Sequence, residues 1–160
     1  MTVPSARHAH GCNDALVGIG IPGRVALMFT READSARAAI ISALANVRDA
    51  VHGARLVEAT PDFVGLTDVA DTVGVSRQNM RKLMTTHAGS FPLPVHEGAA
   101  SVWHLADILR WLDERGSYDV DPALIEIADT TMQVNLARGA ARLLPAMRQE
   151  LAALVAGPTP

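Results

Sequence analysis

Residues 66–84 hold two short helical patterns that meet at one glycine, and this stretch restricts the possible folds more than any other part of the chain. Thr67 or Asp68 is predicted to cap a first helix, because short polar side chains accept hydrogen bonds from the free N–H groups of a helix start. Gly74 fits a tight turn that requires a positive φ angle. Ser76 is predicted to cap the second helix. The positions expected to be buried between the two helices are Val69, Ala70, Val73, Val75, Met80 and Leu83.

The second helix begins with three exposed polar residues, Arg77, Gln78 and Asn79. Arginine pairs with guanine in the major groove, and glutamine and asparagine pair with adenine. One turn later, Arg81 and Lys82 are residues suited to phosphate contacts. This combination predicts a helix-turn-helix whose second helix binds double-stranded DNA. An ordinary pair of packed helices is the alternative.

The charge distribution supports this interpretation only locally. The net charge of −3 argues against a simple nucleic-acid-binding protein, but no Asp or Glu occurs from Thr72 through His96. A basic segment in an acidic chain is typical of a DNA-facing surface. The predicted DNA contacts are Thr67, Ser76, Arg77, Gln78, Asn79, Arg81, Lys82, His87 and His96.

The segment after the second helix predicts a hairpin and a third helix. Two short extended pieces between Gly89 and Trp103 can pair around Glu97-Gly98. A helix from Leu105 to Glu114 follows. Trp103 and Trp111 are expected to pack this hairpin and helix on the helix-turn-helix.

The order LTDVADTVGVSRQNMRKL…FPLPV…SVWHLADILRWL resembles the winged helix-turn-helix of MerR-type regulators and of the related phage excisionase-like regulators. The resemblance covers about residues 62–115. It implies a winged fold in which residues 76–82 enter the major groove and residues 96–99 form a wing beside the DNA backbone. MerR-type sensors usually carry an effector domain after the DNA-binding domain, whereas in this chain another unit precedes that domain. The resemblance therefore does not imply that this chain senses an effector.

The N-terminal part predicts a strand-helix-strand unit. Strands are expected at residues 24–30 and 55–59, and a helix from Ala33 to Val51, capped by Asp34 or Ser35. We interpret the unit as a packing or dimerisation module, because two strands alone are marginal in water. Residues 1–14 are expected to be a flexible tail; its metal-capable residues, His8, His10 and Cys12, lack a second cluster to complete a metal site.

The C-terminal part predicts a helix from Asp121-Pro122 to about Arg138, a break at Gly139, and a kink or a new helix at Pro145. A near-heptad stripe of apolar residues favours packing on another helix, either within the chain or in a homodimer. The stripe consists of Leu136, Ala140, Leu143, Met147, Leu151 and Leu154.

Together these patterns predict an α+β, mostly helical fold. Its parts are a tail (1–14), a strand-helix-strand packing or dimerisation module (15–61), a winged helix-turn-helix DNA-binding domain (62–117) and a C-terminal helical dimerisation or packing region (118–156). No apolar run approaches the ~20 residues of a membrane span. The single cysteine and the lack of a signal-peptide pattern favour the cytoplasm.

Three functions fit these patterns. The first is a sequence-specific transcriptional regulator that binds double-stranded DNA as a homodimer. The second is an antitoxin or immunity-type protein that binds a partner protein and regulates its own expression through the same domain. A recombination-directionality factor is the third, by resemblance only. An enzyme is not expected, because no nucleophile, base and orienting group can be placed together, and neither a cofactor nor a metal is predicted. Asp62, Asp68 and Asp71 are interpreted as caps and solvated residues.

Overall fold

The computed structural model describes residues 12–18 and 21–155, and nearly half of the chain is helical. The fold is α+β, as predicted, with six helices and two small antiparallel sheets in the described residues. The strands are β1 (Ala15–Gly18), β2 (Ala26–Phe29), β3 (Phe63–Val64) and β4 (Trp103–His104). The helices are α1 (Ala36–Ala50), α2 (Leu66–Thr72), α3 (Arg77–Thr86), α4 (Leu105–Glu114), α5 (Pro122–Ala140) and α6 (Pro145–Val155).

The N-terminal sheet differs from the predicted strand-helix-strand order. β2 lies inside the predicted strand, but its partner is β1, which precedes it, with Leu16 opposite Met28. The predicted strand at residues 55–59 is wrong: this segment forms no strand, and four of its five residues are exposed. At the last residue of the segment the reason is competition for the backbone: the side chain of Asn135 binds both the N–H and the C=O of Ala59, so a neighbouring strand cannot.

Arg31 joins the β1–β2 hairpin to α1. Its guanidinium forms two hydrogen bonds with Asp14, at 2.7 and 3.0 Å, and donates to Ser42 Oγ and Asn46 Oδ1 on α1, each at 2.8 Å. Arg31 also lies 5.0 Å from the centre of the Phe29 ring. A bidentate arginine–carboxylate pair has a fixed geometry, so it holds the hairpin in one position.

The predicted tail is ordered at its last residues. Cys12 is buried, and its carbonyl accepts a hydrogen bond from the Ala15 N–H at 3.2 Å. The pairing of Asp14 with Arg31 therefore corrects the expectation of a flexible tail at residues 12–14. His8 and His10 lie outside the described residues.

α1 packs on α5, and both helices begin at residues that the sequence predicts. Ser35 Oγ accepts the Ala38 N–H at 3.0 Å, which confirms Ser35 as the cap. Glu126 of α5 accepts the Ala36 N–H at 3.0 Å, so a carboxylate also lies at the positive end of α1. Asp121 caps α5, where Pro122 is the first helical residue, as predicted.

The hydrophobic core surrounds α4. Leu105, Ile108, Leu109 and Leu112 are fully buried, and this helix has the limits that the sequence predicts. The core residues beyond α4 come from α2, α3, α5, β3, β4 and two connecting segments: Val64, Val69, Ala70, Met80, Phe91, Trp103, Val120, Ala128 and Met132. One core therefore joins the α2–α3 pair to the C-terminal helices.

Candidate nucleic-acid interface

The helices α2 and α3 form where the sequence predicts, but the first cap differs. Gly65, not Thr67, precedes α2 as its cap residue, because the Asp68 carboxylate accepts the Gly65 N–H at 2.8 Å. Thr67 is the second residue of the helix and is exposed. Neither predicted cap residue, Thr67 or Asp68, is the cap; Asp68 is the third residue of the helix and stabilises its start by accepting the Gly65 N–H.

The turn between α2 and α3 has the predicted geometry. Gly74 adopts a φ of +71°, and the Val75 N–H donates to the Ala70 carbonyl at 2.9 Å. Ser76 Oγ accepts the Asn79 N–H at 3.1 Å and so caps α3. The turn brings α2 and α3 into direct contact, with Ala70 and Met80 fully buried between them. Burial of this face fixes which residues α3 presents to solvent.

The solvent-facing side of α3 carries the predicted contact residues. Arg77, Gln78 and Asn79 are all exposed in its first turn, and Arg81 and Lys82 are exposed in its second. A shallow open depression runs along this side; its lining consists of Ser76, Gln78, Asn79, Arg81, Lys82 and Thr85. None of the three cations forms an ion pair with a described residue. The positive charge is therefore available to a partner.

Asn79 has a weak hydrogen-bond partner that the sequence did not indicate. Its Nδ2 lies 3.4 Å from the hydroxyl of Tyr118, which follows α4. A hydrogen bond of this length is easily exchanged for a shorter one. The contact with Tyr118 therefore leaves the Asn79 carboxamide available to a partner.

His87 lies at the C-terminal end of α3, where it contacts α4 rather than standing free. Its ring centre is 5.9 Å from that of Trp111, and its Nε2 is 3.1 Å from Nη2 of Arg115. Arginine can only donate, so Nε2 of His87 accepts this hydrogen bond. The Arg115 guanidinium also lies over the Trp111 ring, 4.7 Å from its centre. His87 and Trp111 thus position an exposed cation, Arg115.

Sequence reasoning missed Arg115 because only the fold brings the end of α4 beside the end of α3. The spacing of 28 residues between His87 and Arg115 carries no local pattern. A signal existed in the spacing of Trp111 and Arg115, which are four residues apart at the end of the predicted helix, since side chains at this spacing are neighbours and arginine frequently lies over tryptophan.

His96 lies in the predicted hairpin, which forms only in part. His96 and Val102 form one isolated antiparallel bridge, and Val95 N–H donates to the Val102 carbonyl at 2.8 Å. The His96 ring lies against Gly98: a Cβ placed on this glycine would be 2.8 Å from Nε2. His96 and Glu97 are exposed. A carboxylate therefore lies beside the predicted wing contact.

The tryptophans pack as predicted. Trp103 is buried, and its Nε1 donates to the Pro92 carbonyl at 3.0 Å. Phe91 lies edge-on to both Trp103 and Trp111, with ring centres 6.2 and 5.1 Å apart. These contacts hold the 91–103 segment against α4.

A second cluster of polar residues lies behind the α2–α3 pair. Asp62 is buried, which corrects its interpretation as a solvated residue. Its carboxylate lies 2.6 Å from Nδ1 of His104 and accepts Asn135 Nδ2 at 2.7 Å. Thr131 Oγ1 donates to the Pro61 carbonyl at 2.5 Å. Burial of an ionisable group requires such partners, so the cluster fixes the entry of the chain into β3.

The cluster contains a carboxylate, an imidazole and a hydroxyl, but the Thr131 hydroxyl bonds to backbone carbonyls and not to His104. No hydroxyl or thiol among residues 12–18 and 21–155 is hydrogen-bonded to His104. The same residues contain no group of three or more His, Cys, Asp or Glu that could hold a metal ion. They also contain no helix with the length and apolarity needed to cross a membrane.

Comparison of the chain with protein-family models, curated proteins and solved structures gave no match. The resemblance to MerR-type and excisionase-like regulators therefore stays a prediction that rests on residues 62–115.

Proposed function

We propose that this protein is a sequence-specific regulator that binds double-stranded DNA through α3. One observation carries the proposal: Arg77, Gln78 and Asn79 are exposed together in the first turn of a helix whose opposite face is fully buried at Met80. An α-helix fits the major groove, where these three residue types distinguish base pairs.

The cations around this turn suit the DNA backbone. Arg81 and Lys82 lie one turn further along α3, and Arg115 is held near the C-terminal end of the same helix by His87. Phosphate contacts fix the orientation of a protein on DNA and supply most of the salt-dependent affinity. Thr67 and His96 lie on neighbouring segments and are proposed backbone contacts.

The regulator is proposed to act as a homodimer. One helix of this size contacts only a few base pairs, and two copies related by a twofold axis place two α3 helices on half-sites about one DNA turn apart. The expected operator is therefore an inverted repeat.

Titration of fluorescent double-stranded DNA from the region upstream of the gene tests the proposal, with random DNA of equal length alongside. Binding to the upstream DNA is expected to be tighter, and log K is expected to fall linearly with log salt concentration. The triple variant Arg77→Ala, Gln78→Ala, Asn79→Ala is expected to lose the preference but to keep its helical circular dichroism. Absence of binding at low salt would contradict the proposal.

A second candidate function is binding of a partner protein, as in antitoxin or immunity-type proteins. The observation that favours it is on the β1–β2 hairpin, where Leu16 and Met28 are directly opposite each other and are 69% and 67% exposed. Adjacent exposed apolar side chains of this size are typical of an interaction surface.

The double variant Leu16→Glu, Met28→Glu separates the two functions. Co-purification with the product of the adjacent gene is expected to be lost in this variant if the hairpin binds that protein, while DNA binding is unchanged. Unchanged co-purification would contradict the role of the hairpin.

A further inference from the structure

An open groove lies between β3, β4 and the C-terminal end of α5. Its apolar walls are Phe63, Leu136 and Leu143, which are 42%, 48% and 40% exposed, and none of its lining residues belongs to α6. Apolar side chains of this size exposed on both sides of one groove favour an apolar occupant.

Arg138 gives this groove an unsatisfied charge. The Nε atom of Arg138 is buried and has no hydrogen-bond partner, and the side chain forms no ion pair with any residue in the described ranges. A buried donor without a partner is costly. The occupant that satisfies the groove is therefore apolar and carries an anion.

The chain itself contains a segment with this chemistry. α6 has no buried residue, although Met147, Leu151 and Leu154 recur at helical spacing. Met147 and Leu154 are 44% and 79% exposed. A helix of 11 residues depends on packing for its stability. In the described part of the chain, no residue buries the apolar face of α6, and no helix packs into the groove.

Glu150 is the only acidic residue of α6. At about 100° per residue it lies about 60° from Met147 around the helix, beside the apolar stripe rather than opposite it. When the apolar stripe of α6 lies in an apolar groove, Glu150 can therefore extend toward a cation at the edge of that groove. Glu150 forms no ion pair with a described residue.

We propose that α6 of a second copy of this chain occupies the groove and that Glu150 of the second copy pairs with Arg138. The α6 of the same chain begins only two residues after Leu143, which is itself a wall, and none of its residues lines the groove, although Arg148 donates a long hydrogen bond, 3.4 Å, to the carbonyl of the lining residue Ala140. In a twofold dimer the exchange is reciprocal, so each copy supplies one helix and one groove. This assigns a specific interface to the homodimer in the proposed function.

Sedimentation or light scattering of the full-length protein without DNA tests this interface. We expect a dimer at tens of micromolar, and we expect Arg138→Glu and Glu150→Arg each to weaken dimerisation at least tenfold, since each places like charges together. The double variant is expected to recover most of the affinity. Arg55→Glu, the same charge reversal at an exposed residue outside the groove, is the control and should dimerise like the original protein.

Each result decides the matter. A monomeric mass for the unmodified protein leaves the groove to another occupant and overturns the proposal. Dimerisation that is unaffected by either single charge reversal, or not recovered in the double variant, overturns the pairing of Arg138 with Glu150. Circular dichroism melts of all variants establish that a lost dimer is not a lost fold. Because no DNA is present, failure here leaves DNA binding by α3 untouched.

Discussion

Asn135 binds both backbone polar groups of Ala59. Its Oδ1 accepts the Ala59 N–H at 2.9 Å, and its Nδ2 donates to the Ala59 carbonyl at 2.8 Å and to Asp62 at 2.7 Å. The Asp62 carboxylate also contacts Nδ1 of His104, just before the start of α4. One buried side chain of α5 thus holds the segment that leads into the α2–α3 pair.

Replacement of Asn135 with Ala is expected to destabilise the fold. The change leaves the Ala59 backbone and one Asp62 oxygen without partners, and each unsatisfied buried group costs about 1–3 kcal/mol. The melting temperature is expected to fall by about 2–4 °C for each kcal/mol of stability lost in a chain of this size. Gln133→Ala, at an exposed position of the same helix, is the control and should melt like the original protein.

The Asp14–Arg31 pair predicts a dependence of stability on pH. The hydrogen bonds from Arg31 hold the pKa of Asp14 below its ordinary value of 3.8. A carboxyl whose pKa is lowered by folding stabilises the fold above its unfolded pKa, and this contribution is lost as the pH falls through the folded pKa.

Asp14→Asn is therefore expected to lower the melting temperature at pH 7 by a fixed amount, and this difference should shrink once the pH falls below about 4. Melting curves of both proteins from pH 7 to pH 3 measure it. A difference that stays constant down to pH 3 would show that ionisation of Asp14 does not contribute.

Gly74 provides a local test of the turn between α2 and α3. A Cβ at this position meets no atom within 4 Å, so the effect of Gly74→Ala comes from the φ of +71° alone. An L-residue in this conformation costs about 1–2 kcal/mol. Denaturant unfolding should show that loss for Gly74→Ala. Gly89→Ala also meets no atom within 4 Å and has no positive φ, so it should be neutral or slightly stabilising.

The sequence predicted those elements that depend on neighbouring residues. The limits of α4, the caps at Ser35 and Ser76 and the turn at Gly74 follow from helix periodicity and backbone preferences within a few residues. The buried positions of α2 and α3 follow from the same periodicity. The exposed residues of α3 could therefore be identified before the fold was known.

Features that depend on distant residues were not predicted. The segment from Arg55 to Ala59 has strand-forming residues, but at Ala59 both backbone groups are bound by Asn135, 76 residues away. The burial of Asp62 was not predicted because its partners, His104 and Asn135, lie far along the chain. β1 is too short to show a clear alternation, and it is a strand because it pairs with β2.

The two turns of α3 are expected to contribute differently to DNA binding. Arg77→Ala should cost about 1–3 kcal/mol at one base pair and relax the preference there, because a bidentate contact to a base edge is lost. Lys82→Ala should weaken binding to all sequences alike and reduce the slope of log K against log salt by about one, because a phosphate contact is lost.

Arg115→Ala is expected to behave like Lys82→Ala, and His87→Ala should produce a smaller loss of the same kind, because His87 acts through Arg115. Arg37→Ala, at an exposed position of α1, is the control and should bind like the original protein. Titrations against a set of operators with single base changes, at two salt concentrations, distinguish these effects. If Arg77→Ala weakened the original and changed operators equally, α3 would not discriminate bases through this residue, and the assignment of Arg77 would be wrong.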